Sequence, residues 1–368
     1  MKVVVSVFNN LYTDQRVEKV CKTLSDNGYE LMLIGCNWLG SPEMKRPYPF
    51  FRIELKSKKL RFAYIEFQRK LYKELLKTAD NKTILLANDL ETLMPNYLIS
   101  RKLNIPLIFD SHEIFTEMPT VQGRWVKHVW KRIEKTFVPK IKRMMTASNS
   151  YANWFVKEYD IDKPLVINNL PRRMEFTGIR ENSQKIILYQ GWLNYSRGID
   201  KAILAMKFIE NAELWIAGTG PMEDEFRKLA KRTGLGDRIK FLGKLAPEDL
   251  RKITPKADVG LSIEENNGLS YYYSLPNKVS DYIQSRVPVV VSNFPEMANI
   301  VQTFGVGEII DNHSPEHLAE KINLVLQNGK AFYLHNLNVA SEELCWENEE
   351  DKLLKIFSEA RKELEHRH

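Results

Sequence analysis

Short runs of hydrophobic residues alternate with stretches of helical periodicity along most of the chain. The first run, residues 2–8, is followed by Val17, Val20 and Leu24 at the spacing of one helix face, and Gly28 ends that helix. Continuous apolar runs are typical of strands that are buried on both faces of a parallel sheet. The alternation therefore predicts an α/β protein built on parallel sheets.

The predicted strands form two series. They are residues 2–8, 30–36, 83–88, 106–110 and 144–148, and then 185–191, 212–218, 238–243, 257–263 and 287–292. The composition changes over residues 160–182, and 368 residues is a usual length for two domains. We therefore predict two doubly wound domains that face a central cleft. The N-terminal domain is placed at residues 1–166, the C-terminal domain at 167–345, and a final helix at 346–366 is expected to pack back on the N-terminal domain.

The composition is that of a soluble globular protein. Hydrophobic residues make up 43% and charged residues 27%, which excludes a disordered chain and a small disulfide scaffold. The three cysteines have no paired spacing, so the sequence indicates neither a zinc cage nor a disulfide framework, and a reducing compartment is expected. No signal peptide or apolar run of about 20 residues is present. We expect a cytoplasmic protein, either free or peripheral at the inner face of the membrane.

The positive charge is concentrated in the first half of the chain. Residues 1–166 carry a net charge of +10, with +6 in residues 52–77 and +7 in residues 124–143, whereas residues 167–368 carry −3. This asymmetry predicts that an anionic partner contacts only the first half. The sequence has no helix-turn-helix, RNP or zinc-finger pattern, so we do not expect nucleic acid to be that partner.

Aromatic and basic residues are interleaved over residues 60–77. Tyr64, Phe67, Leu71 and Leu75 fall on one helical stripe. One interpretation is an ordinary helix that packs on its own sheet and exposes a basic face. The other is attachment to anionic lipid, in which these aromatics and two tryptophans of the second basic stretch reach the headgroups. The residues proposed for that contact are Tyr64, Phe67, Trp125 and Trp130.

Candidate binding residues lie in the loops after strands, because ligands of parallel α/β sheets bind at the carboxyl ends of strands. Residues 8–17 lack the glycines of a dinucleotide fingerprint. In residues 190–200, Gly191 allows a sharp exit from the strand, and Arg197 and Gly198 come where a helix begins. A guanidinium beside free helix N–H groups suits a diphosphate.

A second glycine turn occupies residues 216–221. Gly218 and Gly220 there are compatible with a phosphate or a nucleotide base. Such turns are also common in α/β domains that bind neither, so this turn is weaker support for a nucleotide site than Arg197.

The segment 271–292 contains the largest group of candidate binding residues. Pro276 fixes a turn, which places the N–H groups of Asn277 and Lys278 at a helix start. Lys278 can approach a phosphate, and Asp281 on the same helix face can accept hydrogen bonds from ribose hydroxyls. The alternative is an ordinary ion pair on the surface of the helix.

His112 follows a predicted strand and faces the predicted cleft; the alternative is a helix-capping or core histidine. The other histidines form no ligand-spaced set with carboxylates. His313 and His317 have i,i+4 spacing, but a solvated helix start explains it as well. We also expect no Asp-x-Asp pair to hold a divalent ion against a diphosphate. No metal is therefore expected at the site, with positive side chains and helix dipoles offsetting the charge of a leaving group.

Several short motifs occur in a fixed order along the chain. They are D-Q-R-V-E-K-V (14–20), F-D-S-H-E (109–113), Q-G-W-L (190–193), R-G-I-D (197–200), A-G-T-G-P (217–221), the segment 271–292 and W-E-N-E-E (346–350). Together they resemble the bacterial glycosyltransferases of the GT-B type, in particular the retaining enzymes of family 4. The resemblance implies two Rossmann-like domains, with a nucleotide-diphosphate sugar bound mainly by the second.

The resemblance also implies residue roles. Arg197 and Lys278 would contact the diphosphate, Asp281 would stand in place of the glutamate that binds ribose, and His112 would contact the donor sugar near the reaction centre. This sequence departs from the family at two places. The first of two glutamates in the family pattern is replaced by Tyr273, and Trp192 stands where a basic residue is common.

Glu264 and Glu265 come too early in the chain to replace that missing glutamate without a loop shift. The carboxylate that would bind the donor sugar is therefore left unassigned.

These observations predict a retaining glycosyltransferase. It would move a hexose-type unit from a UDP- or GDP-linked donor to a hydroxyl of a lipid-linked or envelope saccharide, with no further cofactor. The family resemblance implies front-face attack, in which the leaving phosphate takes the acceptor proton. The alternatives are a nucleotide-sugar 2-epimerase with the same two domains, and a non-catalytic protein that binds nucleotides or polyanions.

Overall fold

The computed structural model describes residues 1–12, 14–38, 40, 43–176, 178–179 and 184–366. The chain divides into two compact units. Unit 1 comprises residues 1–168 and 349–368, and unit 2 comprises residues 169–348.

Unit 1 contains a parallel sheet of seven strands with helices between them. The strands are β1 (Lys2–Ser6), β2 (Glu30–Asn37), β3 (Phe50–Glu54), β4 (Thr83–Asn88), β5 (Leu107–Ser111), β6 (Arg143–Thr146) and β7 (Leu165–Val166). The helices are α1 (Gln15–Asp26), α2 (Leu60–Thr78), α3 (Leu90–Leu103), α4 (Val126–Phe137) and α5 (Asn149–Tyr159). The strand order is β3-β2-β1-β4-β5-β6-β7, so the sheet winds in opposite directions from β1.

Local sequence explains how β1 and α1 form. The β-branched side chains of β1 are fully buried, and Val4 lies between Met32 of β2 and Leu85 of β4 in parallel register. Helix α1 begins after Asp14, whose carboxylate accepts a hydrogen bond of 2.9 Å from the backbone N–H of Val17. These two elements place the loop between them at the carboxyl edge of the sheet.

Unit 2 contains a parallel sheet of six strands in the order β10-β9-β8-β11-β12-β13. The strands are β8 (Lys185–Gln190), β9 (Ala212–Ala217), β10 (Ile239–Gly243), β11 (Val259–Ser262), β12 (Val289–Ser292) and β13 (Gly307–Ile310). The helices are α6 (Ile199–Ala205), α7 (Glu223–Arg232), α8 (Pro247–Ile253), α9 (Leu269–Tyr272), α10 (Asn277–Gln284), α11 (Pro295–Phe304) and α12 (Pro315–Glu343), which is interrupted at Gly329.

The last helix, α13 (Glu347–Glu365), packs on unit 1 over most of its length. The rings of Tyr29 and Phe357 lie 5.9 Å apart, and Arg143 forms an ion pair of 2.5 Å with Glu363. Among the described residues, no helix combines the length and the apolar character that crossing a bilayer requires.

The structure confirms the predicted fold class of two parallel-sheet, Rossmann-like domains. All ten predicted strands are present, and β3, β7 and β13 are additional. The strand order reverses between β1 and β4 in unit 1, and between β8 and β11 in unit 2. Ligands of doubly wound sheets bind beyond the carboxyl ends of strands at such reversals. The loops after these four strands are therefore the first places to look for a site.

Candidate functional site

The loops after β8 and β9 pack against each other through their backbones. The N–H of Gly191 donates to the carbonyl of Ala217 at 2.9 Å. A Cβ on Gly218 would lie 1.8 Å from the oxygen of Gly191, and one on Gly220 would lie 2.2 Å from that of Leu193. Gly218 and Gly220 thus allow a contact between loops that no larger residue would permit, and Gly191 has a φ of 139°, which favours glycine.

The two cations predicted to bind a diphosphate lie together. The Nζ atom of Lys278 is 2.8 Å from Oε1 of Glu264, and a terminal nitrogen of Arg197 is 3.6 Å from the same oxygen. The Lys278 ammonium also lies 4.2 Å from the ring centroid of Tyr189, and the Arg197 guanidinium lies 4.6 Å from that of Tyr271. The loop after β8 and helix α10 therefore direct their cations to one point.

Arg197 also carries a buried donor atom without an acceptor. Its Nε has no hydrogen-bond partner within the part of the chain that the structure describes. Gly198, the next residue, precedes α6 with a φ of 71° and lies against the carbonyl of Ile263. This close approach fixes where the Arg197 side chain leaves the backbone.

Glu264 is held from several sides at the carboxyl end of β11. Its side chain is 1% exposed, and Oε2 accepts a hydrogen bond of 2.8 Å from the Ser262 hydroxyl. Its backbone carbonyl accepts from the Ser292 hydroxyl at 2.7 Å and lies 3.0 Å from Nε2 of His313. Burial alone would raise the pKa of this carboxyl, but Lys278 and then Arg197 outweigh it and hold the pKa below its usual value. Glu264 is therefore an ionised counter-ion in a fixed position.

Asn277 and Lys278, at the start of α10, differ in solvent exposure. Asn277 is exposed, and its side-chain oxygen accepts a hydrogen bond of 3.1 Å from Asn169. Lys278 is 9% exposed, and the Glu264 carboxylate outweighs the effect of burial and keeps its pKa above the usual value. Because Lys278 is buried, an exposed ion pair on the helix surface does not describe it.

Asp281 is half-buried and lies at the end of β8. Its Oδ2 accepts a hydrogen bond of 3.1 Å from the side-chain amide of Gln190. The oxygen of that amide lies 3.0 Å from the Thr254 hydroxyl, and the NH2 group of Gln190 faces Asp281. This relay fixes the position of the Asp281 carboxylate at the carboxyl edge of the sheet.

In unit 1, His112 directly follows β5 and is surrounded by acceptors. Its Nδ1 lies 3.1 Å from Asp89, and its Nε2 lies 3.3 Å from Asp110 and 3.1 Å from the side-chain oxygen of Asn88. Burial alone would lower the pKa of the imidazole, but Asp89 and Asp110 hold it well above its usual value. His112 is 17% exposed, so it is neither a core histidine nor a solvated one.

Asp110 has a second partner, Arg16 of the D-Q-R-V motif, which lies closer than His112. Arg16 donates two hydrogen bonds to its carboxylate, at 2.9 and 2.7 Å, and a third to the carbonyl of Ile167 at 2.6 Å. Both side chains are almost completely buried. Burial raises the pKa of Asp110, but Arg16 and His112 outweigh that effect and lower it to about 2. Asp110 is thus a fixed anion that joins Arg16 to His112.

Three further carboxylates at this edge were not identified from the sequence. Asp89 follows β4 with a φ of 59°, which is unusual for a residue other than glycine. Glu91 is buried, with Oε2 lacking a partner among the described residues, and burial followed by the Asp89 charge raises its pKa well above the usual value. Burial also raises the pKa of Glu113 to about 7. All three are acidic residues within three positions after a buried strand, and this pattern is visible in the sequence.

Family models match most of both units. Residues 14–169 match the model for Glycosyltransferase Family 4, and residues 173–338 match the model for Glycosyl transferases group 1. The chain belongs to the GT-B glycosyltransferases of family 4.

The chain is also similar to a relative that is named as a glycosyltransferase, and two solved structures share its fold. The chain is 28% identical over 186 residues to the uncharacterized glycosyltransferase MJ1607 of Methanocaldococcus jannaschii, which covers 48% of this chain and 45% of the relative. The chain thus spans about half the length of that relative. Sucrose-phosphate synthase from Thermosynechococcus elongatus superposes with a TM-score of 0.79 at 15% identity, over 98% of each chain. Anabaena HepE in complex with UDP-glucose gives a TM-score of 0.74 at 14% identity, over 98% of this chain and all of that one.

For this glycosyltransferase the structure supplies two facts about metal binding. Among the described residues, no group of three or more His, Cys, Asp and Glu is arranged to hold a metal ion. The sequence contains one Asp-x-Asp spacing, Asp160 and Asp162, so the prediction that it has no such pair is wrong. It lies between α5 and β7, before the strand rather than after it, and so away from the carboxyl edge where donors bind in this fold.

The structure corrects the membrane residues expected for this glycosyltransferase. Phe67 and Trp130 are buried, and Tyr64 packs edge-on against Trp130 with ring centroids 5.2 Å apart, so these three side chains cannot reach a bilayer. The stripe through Phe67 is the core face of α2, as the ordinary interpretation stated. A different apolar set is exposed on α2 and at α4, namely Phe62, Ile65, Trp125 and Val129.

Proposed function

We propose that this glycosyltransferase moves a hexose-type unit from a UDP- or GDP-linked donor to a hydroxyl of a lipid-linked or envelope saccharide, with retention of the anomeric configuration. The convergence of Lys278 and Arg197 on one point at the strand reversal of unit 2 supports this proposal most directly. Two cations held close together suit the two phosphates of such a donor better than a single phosphate or a neutral ligand.

The unsatisfied Nε of Arg197 adds to this argument. A buried donor without an acceptor is unfavourable by roughly 1–3 kcal/mol, and a phosphate oxygen would satisfy it. The positive charge would also stabilise the nucleoside diphosphate as it leaves, which is where charge develops in the transition state. Lys278 and Arg197 are thus proposed to bind the donor and to assist departure of the leaving group.

Asp281 is proposed to bind the ribose. Its carboxylate is positioned by Gln190, and it lies one helical turn after Lys278, so a nucleotide with its diphosphate at Lys278 could place its ribose there. A carboxylate accepts hydrogen bonds from two vicinal hydroxyls, which a deoxyribose would offer less well.

The retaining mechanism is proposed from the family, with His112 in unit 1 contacting the donor sugar. Both ring nitrogens of His112 already have carboxylate or amide acceptors, so a sugar hydroxyl would share or replace one of them. Attack from the front face would let the leaving phosphate take the acceptor proton.

The basic surface of unit 1 is proposed to bring the enzyme to its acceptor. Tyr64 of α2 contacts Trp130 of α4, and three apolar side chains are exposed on these helices: Phe62 and Ile65 on α2, and Trp125 directly before α4. Lys58, Lys59, Arg61 and Arg69 are exposed around them. Each basic residue near an anionic surface contributes about 1 kcal/mol, and the apolar side chains can enter the headgroup region.

The donor is tested with the purified full-length protein. UDP- and GDP-sugars are compared by thermal shift, and the preferred donor is then incubated with and without saccharide acceptors. We expect one nucleotide to stabilise the protein and its sugar to be transferred as the α-anomer from an α-linked donor, as NMR of the product would show. Transfer with inversion would contradict the retaining mechanism. Exchange at C2 of the donor sugar would identify an epimerase instead, and binding without any turnover a non-catalytic protein.

Membrane docking is tested by sedimentation with liposomes. The variant with Lys58, Lys59, Arg61 and Arg69 changed to glutamate should lose binding to anionic vesicles and keep donor hydrolysis. A matched control reverses four exposed cations of unit 2, Lys231, Lys244, Arg251 and Lys252, and should bind as the wild type does. Equal pelleting with neutral and anionic vesicles would contradict this docking surface.

A further inference from the structure

Glu264 is unusual because it places a fixed negative charge where the proposed function requires binding of a dianion or trianion. Its carboxylate lies 2.8 Å from Lys278 and 3.6 Å from Arg197. The group of three therefore carries a net charge of +1 rather than +2. A carboxylate is repelled by phosphate, so its presence here requires an explanation.

Glu264 cannot simply move away when a ligand arrives. The Ser262 hydroxyl holds the second carboxylate oxygen, and Ser292 and His313 hold the backbone carbonyl of the same residue. The side chain is buried, and the two serines that hold Glu264 end β11 and β12, which pair with each other in the sheet. A bound diphosphate would therefore coexist with the Glu264 carboxylate.

Lys278 can bind Glu264 and a phosphate at the same time. An ammonium has three N–H donors, and one is directed at Glu264 while its position over the Tyr189 ring fixes the side chain. Arg197 is 3.6 Å from the carboxylate, which is beyond a good hydrogen bond, and its Nε remains without a partner among the described residues. Both cations thus keep donors available while Glu264 reduces their joint charge.

We propose that Glu264 is a positioning residue and a charge moderator of the donor site: it holds Lys278 and Arg197 together and weakens their attraction for the nucleoside diphosphate product, so that the product leaves after transfer. This inference rests on the proposed function, since it assumes a diphosphate at Lys278 and Arg197. A catalytic cycle that releases its product requires moderate rather than maximal affinity for it.

The test compares UDP and GDP binding by titration calorimetry in the wild type and in Glu264→Gln. Glutamine keeps the shape and an acceptor for Lys278 but removes the charge. For a charge within about 5 Å, we expect the variant to bind the preferred nucleotide roughly 5- to 30-fold more tightly and to release it more slowly. A residue with only a structural role could weaken binding but not tighten it. Unchanged or weaker binding by a folded Glu264→Gln protein would overturn the inference.

A double variant covers the case in which Glu264→Gln does not fold because Lys278 is left buried and uncompensated. Lys278→Met with Glu264→Gln removes both charges of the pair and is compared with Lys278→Met alone. We expect the double variant to bind the nucleotide more tightly than the single one, and no difference would overturn the inference. Glu225→Gln serves as the control because it makes the same change at an exposed carboxylate of unit 2, on α7, and its affinity should match that of the wild type.

The same titrations separate this inference from the proposed function. A wild-type protein that binds neither UDP nor GDP would overturn the donor site and this inference together. A wild type that binds, and loses binding in Lys278→Met, supports the donor site. If Glu264→Gln then fails to tighten binding, only the moderating role of Glu264 is wrong.

Discussion

The two units have opposite overall charge, and the side chains at the corresponding edge of their sheets also differ. Unit 1 carries a net charge of +9, yet Asp89, Glu91, Asp110 and Glu113 bring four carboxyl groups to the carboxyl edge of its sheet. Unit 2 carries a net charge of −2, yet two cations meet at the carboxyl edge of its sheet. The net charge of a domain therefore describes its outer surface and says little about its site.

The difference extends to how each edge is neutralised. In unit 1, a buried arginine and a histidine are each held by carboxylates, so the cations have few donors left. In unit 2, one carboxylate serves two cations, and donors remain. Unit 2 is thus suited to an anionic ligand and unit 1 to a ligand with hydroxyl groups.

The largest expected effect is the loss of stability when the buried ion pair of unit 1 is broken. Arg16→Met leaves Asp110 buried without its main partner, and loss of one member of a buried ion pair costs about 3–5 kcal/mol. Urea unfolding, with hydrogen exchange of β5 as the readout for unit 1, measures this loss. Arg101→Met, which changes an exposed arginine of the same unit, should have almost no effect. A wild-type-like Arg16→Met protein would show that the pair contributes little.

The next effect concerns the cations of unit 2. Lys278→Met keeps most of the side-chain volume and removes the charge, so we expect kcat/KM to fall by about 30- to 1000-fold, or roughly 2–4 kcal/mol of transition-state stabilisation. Lys231→Met on the exposed face of α7 is the matched control. Unchanged kcat/KM in the folded Lys278→Met protein would remove this lysine from the donor site.

A smaller effect is expected from the ribose contact. Asp281→Asn preserves shape and loses charge-assisted hydrogen bonds, so nucleotide affinity should fall by about 1.5–3 kcal/mol. The preference for the ribonucleotide over its 2′-deoxy form should also disappear. Asp224→Asn, an exposed change on α7, should retain both. If Asp281→Asn still discriminates between the two nucleotides, the ribose lies elsewhere.

The smallest expected effect is that of removing divalent metal ions. In unit 1, Asp110 and Asp89 pair with Arg16 and His112, and burial raises the pKa of Glu91 and Glu113; in unit 2, Glu264 pairs with Lys278 and Arg197. Sugar transfer measured after treatment with EDTA should therefore equal that measured with added magnesium at the same ionic strength. A complete loss that magnesium restores would show that a metal ion takes part.

The strands that sequence analysis predicted and those that it missed differ in their position. The predicted strands include every central one, since a strand buried on both faces reads as a continuous apolar run. The three additional strands, β3, β7 and β13, are all at sheet edges. Strand β3 has the mixed sequence FFRIE, and β7 consists of two residues, so neither shows a recognisable pattern. Edge strands form because a neighbour offers hydrogen bonds, which the local sequence does not reveal.

The candidate site was predictable to a similar extent. Arg197 and His112 lie in loops that follow strands, Lys278 lies at a helix start marked by Pro276, and the structure places all three at the carboxyl edge of their own unit. Glu264 was set aside because its spacing did not match a family glutamate. Its pairing with Lys278 depends on the distance between two strand ends, and residue spacing along the chain does not contain that distance.

The contact between Gly191 and Gly218 has a practical consequence for changing donor preference by directed evolution. The backbones of these two loops touch with no space for a Cβ, so the loops behave as one frame that must keep its glycines and its length. Trp192 and Tyr195 project from that frame and are more than half exposed, so their side chains can be varied without disturbing it. A library randomised at these two positions, with the glycines held constant, would sample donor-loop chemistry while most of its members still fold.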